Sequence, residues 1–184
     1  MTYLVFQFER VPTASGEMLV ATDEEGLLRA LDWEDCEARM HKLLRLHYGA
    51  NNVRLDRRRP ASAARRSIEA YLAGDLPAID KVPVKTGGTA FQREVWAALR
   101  TIPAGKTVSY GALAAQLERP KAVRAVGLAT GANPVGVVVP CHRVIGANAS
   151  LTGYGGGLQR KRWLLEHEGV RFRATPGRLA PHPG

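Results

Sequence analysis

The chain has 184 residues, enough for one large domain or two small ones, and only two cysteines, which excludes a disulfide framework. No run is long and apolar enough to span a bilayer, and residues 2–8 lack the basic and continuously apolar regions of a targeting segment. A soluble cytoplasmic protein with no membrane partner is expected. The net charge of +9 is unevenly shared: residues 1–89 hold thirteen Lys and Arg against thirteen Asp and Glu, and residues 90–184 hold thirteen against four. A half so poor in acidic groups suits a polyanionic partner, first of all nucleic acid.

In chain order, residues 3–10, 13–16, 18–22 and 26–33 alternate apolar residues and turn signals, predicting a small antiparallel sheet. Residues 35–48 follow a helical period through Cys36, Met40, Leu43 and Leu44, and Gly49 closes them. The cluster Arg57-Arg58-Arg59 before Pro60 reads as a solvated loop. A second helix spans 62–73, capped by Ser62 and stopped by Gly74. Residues 80–89 have linker composition, and the charge shifts there. This divides the chain into a structural N-terminal α/β domain over 1–79, a linker over 80–89 and a C-terminal domain over 90–173. Residues 174–184, with three prolines and two glycines, read as a disordered tail.

The C-terminal half opens on Thr89 as N-cap of a helix with Phe91, Val95, Ala98, Leu99 and Ile102 on one face. Ser109 caps a helix over 110–117, and Pro120 suits the first turn of another over 120–130. The pair resembles a helix-turn-helix. Its second helix offers Ala122, Ala125, Gly127 and Ala129 with a single mid-helix Arg124, a set that approaches DNA closely without reading bases. Backbone and minor-groove binding with little sequence preference fits, with Arg124 able to enter the base stack. A helical hairpin with internally packed alanines fits the same residues equally well.

The run Val135-Gly136-Val137-Val138-Val139 reads as a short buried strand, ended by Pro140, so that Cys141 projects where the strand leaves its sheet. Cys141 is followed by His142 and Arg143, and a thiol beside an imidazole has the means to become a nucleophile. Neighbours on an extended chain face opposite ways, so a bridging water is expected between Cys141 and His142. The far imidazole nitrogen needs an acceptor, for which Glu166 and Glu168 both qualify. A structural cysteine beside a surface histidine is the competing reading. Further on, a hairpin is predicted between 144–145 and 151–152. The mobile loop 153–157 follows, with Tyr154 as a stacking surface, and then a helix over 158–167 anchored by Trp163, Leu164 and Leu165.

Together, Pro140-Cys141-His142-Arg143-Val144, the preceding Asn133-Pro134, the helix segment Arg124-Ala125-Val126-Gly127 and the block from Thr152-Gly153-Tyr154 through Trp163 to Gly169 resemble the O6-alkylguanine-DNA alkyltransferases of bacterial type. The resemblance covers most of 86–170, and Tyr71-Leu72-Ala73-Gly74 resembles their N-terminal domain. It implies an α+β fold of two small domains: an N-terminal antiparallel sheet with helices, and a mainly helical C-terminal domain with a helix-turn-helix and a short active-site sheet. It further implies repair of O6-alkylguanine, and possible extension to O4-alkylthymine, by irreversible transfer of the alkyl group from a flipped-out base to Cys141.

By the same resemblance His142 removes the thiol proton through water, Glu168 orients His142, and Asn133 braces the active-site turn. Tyr110 assists the leaving guanine, Arg124 fills the gap in the stack, Ala125 lies on the DNA face, and Val144, Tyr154 and Gly155 meet the base. The expected partner is double-stranded DNA bound by a monomer, with cooperativity along DNA left open. No cofactor is expected, and no metal, since the N-terminal half has only Cys36 where some relatives carry a zinc set. Gly136 stands where vertebrate members carry a proline, so alkyl size is left open. The alternatives are a non-catalytic sensor of alkylated bases, from which Cys141 would be missing, a Cys-His hydrolase, which needs no basic half, and a plain DNA-binding regulator.

Overall fold

The computed structural model describes residues 3–50, 52–57 and 60–172. The expected tail over 174–184 lies outside them, as do Arg58 and Arg59 of the basic cluster.

Strands β1 (Leu4–Thr13) and β2 (Gly16–Thr22) form an antiparallel hairpin in which Thr13 Oγ1 donates to the Gly16 carbonyl at 2.6 Å. Strand β3 (Leu28–Trp33) pairs antiparallel with β2. A fourth strand, β4 (Val53–Arg57), adds in parallel to the other side of β1, giving the order β3-β2-β1-β4. The sequence reading missed β4 and read Arg57 as loop. Five residues, three of them charged, carry too short an alternation to stand out, and the strand is held by its ladder to β1.

The central strand β2 is covered on both faces, so most of it reads as a continuous apolar run. On one side Phe6, Leu19, Ala21 and Ala30 pack against Met40 and Leu44 of helix α1 (Glu37–Tyr48). On the other, Val11, Met18, Val20, Leu31 and Trp33 join a core shared with the rest of the chain, including Ile68, Val95, Leu99, Val126, Val139 and Leu164. Helix α2 (Ala63–Leu72) is capped by Ser62 Oγ, which accepts from Arg65 N at 3.0 Å, and it brings Ala64, Ile68 and Tyr71 into that core. Within residues 80–89 the backbone runs beside β3, Leu28 N donating to Pro83 O at 2.8 Å and Lys85 N to Leu28 O at 3.1 Å.

Helix α3 (Ala90–Leu99) begins with a reciprocal capping box between Thr89 and Gln92, which satisfies two donors at the helix start. The short strand β5 (Val108–Ser109) leads into α4 (Tyr110–Gln116), capped by Ser109. Helix α5 (Val123–Gly131) starts later than expected: Pro120 lies in a turn, not in the first helical turn, because Ala122 N is drawn back to Arg119 O at 2.8 Å. Trp96 Nε1 donates to Ala129 O at 2.8 Å and ties α3 to α5. Helix α6 (Leu158–His167) follows the glycine loop.

Two expected elements differ. Residues 135–139 are not a strand. Val135, Val137, Val138 and Val139 are buried as their composition suggests, but only Val135 bridges to a strand residue, Leu31, and the rest fold into turns. Val137 has φ +70°, which ends any ladder; a β-branched residue there is strained by roughly 1–3 kcal/mol. The hairpin expected between 144–145 and 151–152 is also absent. Strand β6 (Val144–Ile145) pairs in parallel with β5 instead, and the carbonyls of Val144 and Thr152 are joined through the Lys161 ammonium. The whole is an α+β fold with a sheet-rich N-terminal half and a helical C-terminal half. Replacing Thr89 by Ala removes one member of the capping box and should cost about 1 kcal/mol of unfolding free energy, measured by urea denaturation.

Candidate active site

Cys141 opens a one-turn 3-10 helix, Cys141–Arg143, directly after the turn region 133–140. The turn is held by Asn133, whose Oδ1 accepts from Val135 N at 3.0 Å and whose Nδ2 donates to Val139 O at 2.8 Å. These two bonds bracket the strained Val137, and Cys141 N then donates to Val139 O at 2.8 Å. Because the chain turns at 141–143, the alternation expected of an extended segment does not apply. His142 is fully buried rather than on the surface, and Cys141 is 8% exposed.

His142 Nε2 lies 2.9 Å from Glu168 Oε1. An ionised carboxylate only accepts, so Nε2 carries the proton and Nδ1 the lone pair. Nδ1 is buried and has no hydrogen-bond partner among the described residues. Of the two carboxylates left open by residue type, Glu166 is exposed and pairs with Arg162 at 2.8 Å. Glu168 accepts from five donors: Tyr71 O–H at 2.8 Å, His142 Nε2, Arg143 Nε at 2.9 Å, Arg143 Nη2 at 2.8 Å and Gly105 N at 3.3 Å. Burial works to raise its pKa, but the hydrogen bonds and charges of His142 and Arg143 outweigh it and hold the carboxyl well below the usual range. Burial pushes His142 down against the pull of Glu168, so the imidazole is neutral at rest. Burial pushes the Cys141 thiol up, opposed by a hydrogen bond from Asn133 and by the charges of Arg39 and Lys161.

A small cavity opens beside Cys141, lined by Asn133, Gly136, Tyr154, Gly155 and Gly156 from the C-terminal half and by Leu31, Asp32, Trp33 and Arg39 from the N-terminal half. Arg39 binds Asp32 Oδ2 at 2.6 Å and donates to the carbonyls of Gly131 and Asn133 at 3.1 and 3.0 Å. Two glycines of the loop sit tightly against the N-terminal half: a Cβ at Gly155 would lie 2.6 Å from the Arg39 guanidinium carbon and displace it, and one at Gly156 would lie 2.5 Å from Trp33 Nε1. Val144 is buried, and its carbonyl is held by Lys161. Tyr110, at the start of α4, packs its ring over Gly127 of α5, where a Cβ would sit 3.8 Å away. Burial first, and then proximity to Cys141, raise its phenol pKa against a hydrogen bond to Thr152.

Cys141, His142, Glu168, Asn133, Tyr154, Gly155 and Val144 are thus gathered around the turn and cavity, with Tyr110 beside them. Arg124 and Ala125 stand apart, on the exposed face of α5. The sequence reading missed Tyr71, which it named only within the Tyr71-Leu72-Ala73-Gly74 resemblance, and Arg143, which it named only as the residue after His142. It also missed Lys161, fully buried with its ammonium donating to the carbonyls of Val144, Thr152 and Gly153. Burial pulls that ammonium down to about 8. Leu128, one turn beyond Arg124, is 70% exposed, a large apolar side chain on a helix read as small-residue. No group of residues suited to a metal ion occurs among the described residues, and no described helix is long and apolar enough to cross a membrane.

Residues 90–170 match the family model of the 6-O-methylguanine DNA methyltransferase DNA-binding domain. The methylated-DNA–protein-cysteine methyltransferase of Salmonella typhimurium is 52% identical over 162 residues, spanning 88% of this chain and 94% of the relative. That of Mycobacterium bovis is 56% identical over 113 residues, 61% of this chain and 68% of the relative. Among solved structures, Mycobacterium tuberculosis OGT in complex with DNA superposes with a TM-score of 0.71 at 38% identity, covering 89% of this chain and 92% of that one. The M. tuberculosis O6-methylguanine methyltransferase gives 0.72 at 39%, covering 92% and 96%. With identity of this level over nearly the full length of the Salmonella relative, the chain belongs to the methylated-DNA–protein-cysteine methyltransferase family.

Proposed function

We propose that this protein repairs O6-alkylguanine in double-stranded DNA by moving the alkyl group onto Cys141 in a single, irreversible turnover. The observation that carries the reading is a fully buried imidazole with one nitrogen fixed on Glu168 and the other without a hydrogen-bond partner among the described residues, in the residue next to a thiol at a cavity wall. Such an imidazole is a base in waiting.

The chemistry follows in balanced steps. The Cys141 thiol gives its proton to His142 Nδ1 through one water, and the imidazolium that forms is stabilised by Glu168. The thiolate attacks the alkyl carbon as the C–O6 bond breaks, the electron pair of that bond passes to the guanine, the base takes a proton from the Tyr110 hydroxyl, and the proton held on His142 returns through water to the phenolate. A C–S bond has formed, the base is restored, and the thioether is not hydrolysed, so the protein is consumed. Because a stacked base is beyond reach, the damaged nucleotide must be extruded, at a cost of a few kcal/mol. The two-helix unit α4–α5 serves this step: its exposed face carries Arg124 and Ala125 and suits the minor groove, with Arg124 replacing the extruded base in the stack. The protein acts as a monomer on DNA with low sequence preference. A sensor needs no reactive thiol, and a hydrolase needs no basic half, so neither accounts for these features together.

Intact-mass analysis after mixing with an O6-methylguanine duplex should show a gain of one methylene located at Cys141. Cys141→Ala should show none while still shifting DNA in a mobility assay, since phosphate contacts dominate affinity; loss of DNA binding would mark the cysteine as structural.

The pH dependence follows from His142. Its pKa is depressed by burial, and the reaction needs the neutral ring, so single-turnover rates should hold as pH falls through about 6.5 and decline only below it. A decline centred above that value would mean that the resting ring is an imidazolium.

Arg124→Ala should slow transfer from duplex DNA by roughly an order of magnitude or more, because extrusion is then uncompensated. The slow reaction with free O6-alkylguanine needs no extrusion and should be nearly unchanged. An equal loss with both substrates would assign Arg124 to the fold.

A further inference from the structure

We propose that Tyr71, a residue of the N-terminal half, is a positioning residue for the transfer reaction, its phenol O–H holding the same Glu168 oxygen that fixes His142. The inference rests on the reading of His142 as the base, and it gives the N-terminal half a direct part in the chemistry of the C-terminal half.

The geometry is specific to one oxygen. Glu168 Oε1 receives Tyr71 O–H at 2.8 Å, His142 Nε2 at 2.9 Å and Arg143 Nη2 at 2.8 Å, whereas Oε2 receives Arg143 Nε and Gly105 N. Tyr71 itself is 0% exposed and lies one turn after Ile68 on the buried face of α2. Packing alone does not ask for the hydroxyl: a Phe would fill the same space, and a buried O–H is unfavourable unless it finds an acceptor. Here the acceptor is a carboxylate 97 positions away in the chain.

The phenol stays a donor throughout. Burial first, and then the charge of Glu168, hold its pKa far above the ordinary value, so it never competes for a proton in the working range. The other groups around it are accounted for. The His167 ring meets the Tyr71 ring edge-on at 5.0 Å, and His167 Nε2 bonds the Tyr71 backbone carbonyl at 2.8 Å. Arg143 and Tyr154 act on the phenol only through space. Around His142 the charged groups are Glu168, Arg143 and Lys161.

A third donor on Oε1 has a definite consequence for the base. It spreads the carboxylate charge over the phenol and guanidinium, leaves less of it for Nε2–H, and so keeps the His142 ring neutral at rest while fixing its plane. Removing the phenol donor strengthens the Glu168 to His142 bond and favours the imidazolium.

The test is the pH profile of single-turnover methyl transfer from an O6-methylguanine duplex to the full-length chain. Tyr71→Phe should move the midpoint of the acid limb upward by roughly half a unit. Replacing Tyr71 by 3-fluorotyrosine, a nearly isosteric and stronger donor, should move it downward. A purely structural Tyr71 would alter the amount of active protein and leave both midpoints at the wild-type value, and that result would overturn the proposal. Should Tyr71→Phe fail to fold by circular dichroism, the fluorotyrosine protein decides alone, an unchanged midpoint counting against the proposal. Absence of transfer in the wild-type protein is a different result: it would remove the assigned function, irrespective of Tyr71.

Discussion

A single buried carboxylate, Glu168, is the constraint on which the rest of the site depends. Burying an ion costs several kcal/mol even after relaxation, and a partner that fits well must offset this. Arg143 supplies that partner in two-pronged geometry, and Tyr71, His142 and Gly105 occupy the remaining acceptor positions. These donors come from α2, from the turn after α3 and from the 3-10 turn at Cys141, and Glu168 itself caps α6. One charge therefore fixes the relative positions of four parts of the chain. Arg143 also donates to the carbonyl of Ile102, so the turn after α3 is held twice.

From this anchor the position of the thiol follows. With residues 142 and 143 tied to Glu168, Cys141 can shift only through the turn before it, and there Asn133 spans residues 135 and 139 with its two amide ends. The strain of Val137 at positive φ is thereby imposed by its surroundings. Lys161 performs a parallel task on the far side, gathering the carbonyls of residues 144, 152 and 153 on one ammonium. The glycine loop is then pressed between Arg39 and Trp33, and the cavity beside Cys141 has walls from both halves of the molecule.

Burial of the reacting groups shapes the chemistry as well. Burial disfavours charge on both thiol and imidazole, pushing the pKa of Cys141 up and that of His142 down, so both are held toward their neutral forms. This suits a protein that reacts once, since an idle thiolate would be open to adventitious alkylation and oxidation. Helix α5 is built on the opposite plan, with Arg124, Ala125 and Leu128 exposed and Val126 and Ala129 buried on its side toward α3 and α4.

By itself the sequence determined the features that depend on local chemistry. The caps at Ser62, Thr89 and Ser109 were legible because a hydroxyl just before a helical run can accept from the amide three residues on and so cap the helix start. The uneven charge and the Cys141-His142-Arg143 motif were legible for the same reason: residue type and adjacency carry their meaning. Burial of 135–139 was legible too, but its conformation was not, because apolar β-branched residues report that a segment is inside and leave open whether it is extended or turned. Likewise Val144-Ile145 showed strand character without showing its partner, which is β5 and not the residues after it. Residue type left Glu166 and Glu168 both open as the partner of His142, and only the family resemblance pointed to Glu168; only the tertiary structure decided that Tyr71 joins it across the core, and that Lys161 and Arg39 hold the loop. Buried polar groups are satisfied by whichever partner the fold brings within about 3 Å, and neither spacing nor residue type ranks partners that are distant in the chain.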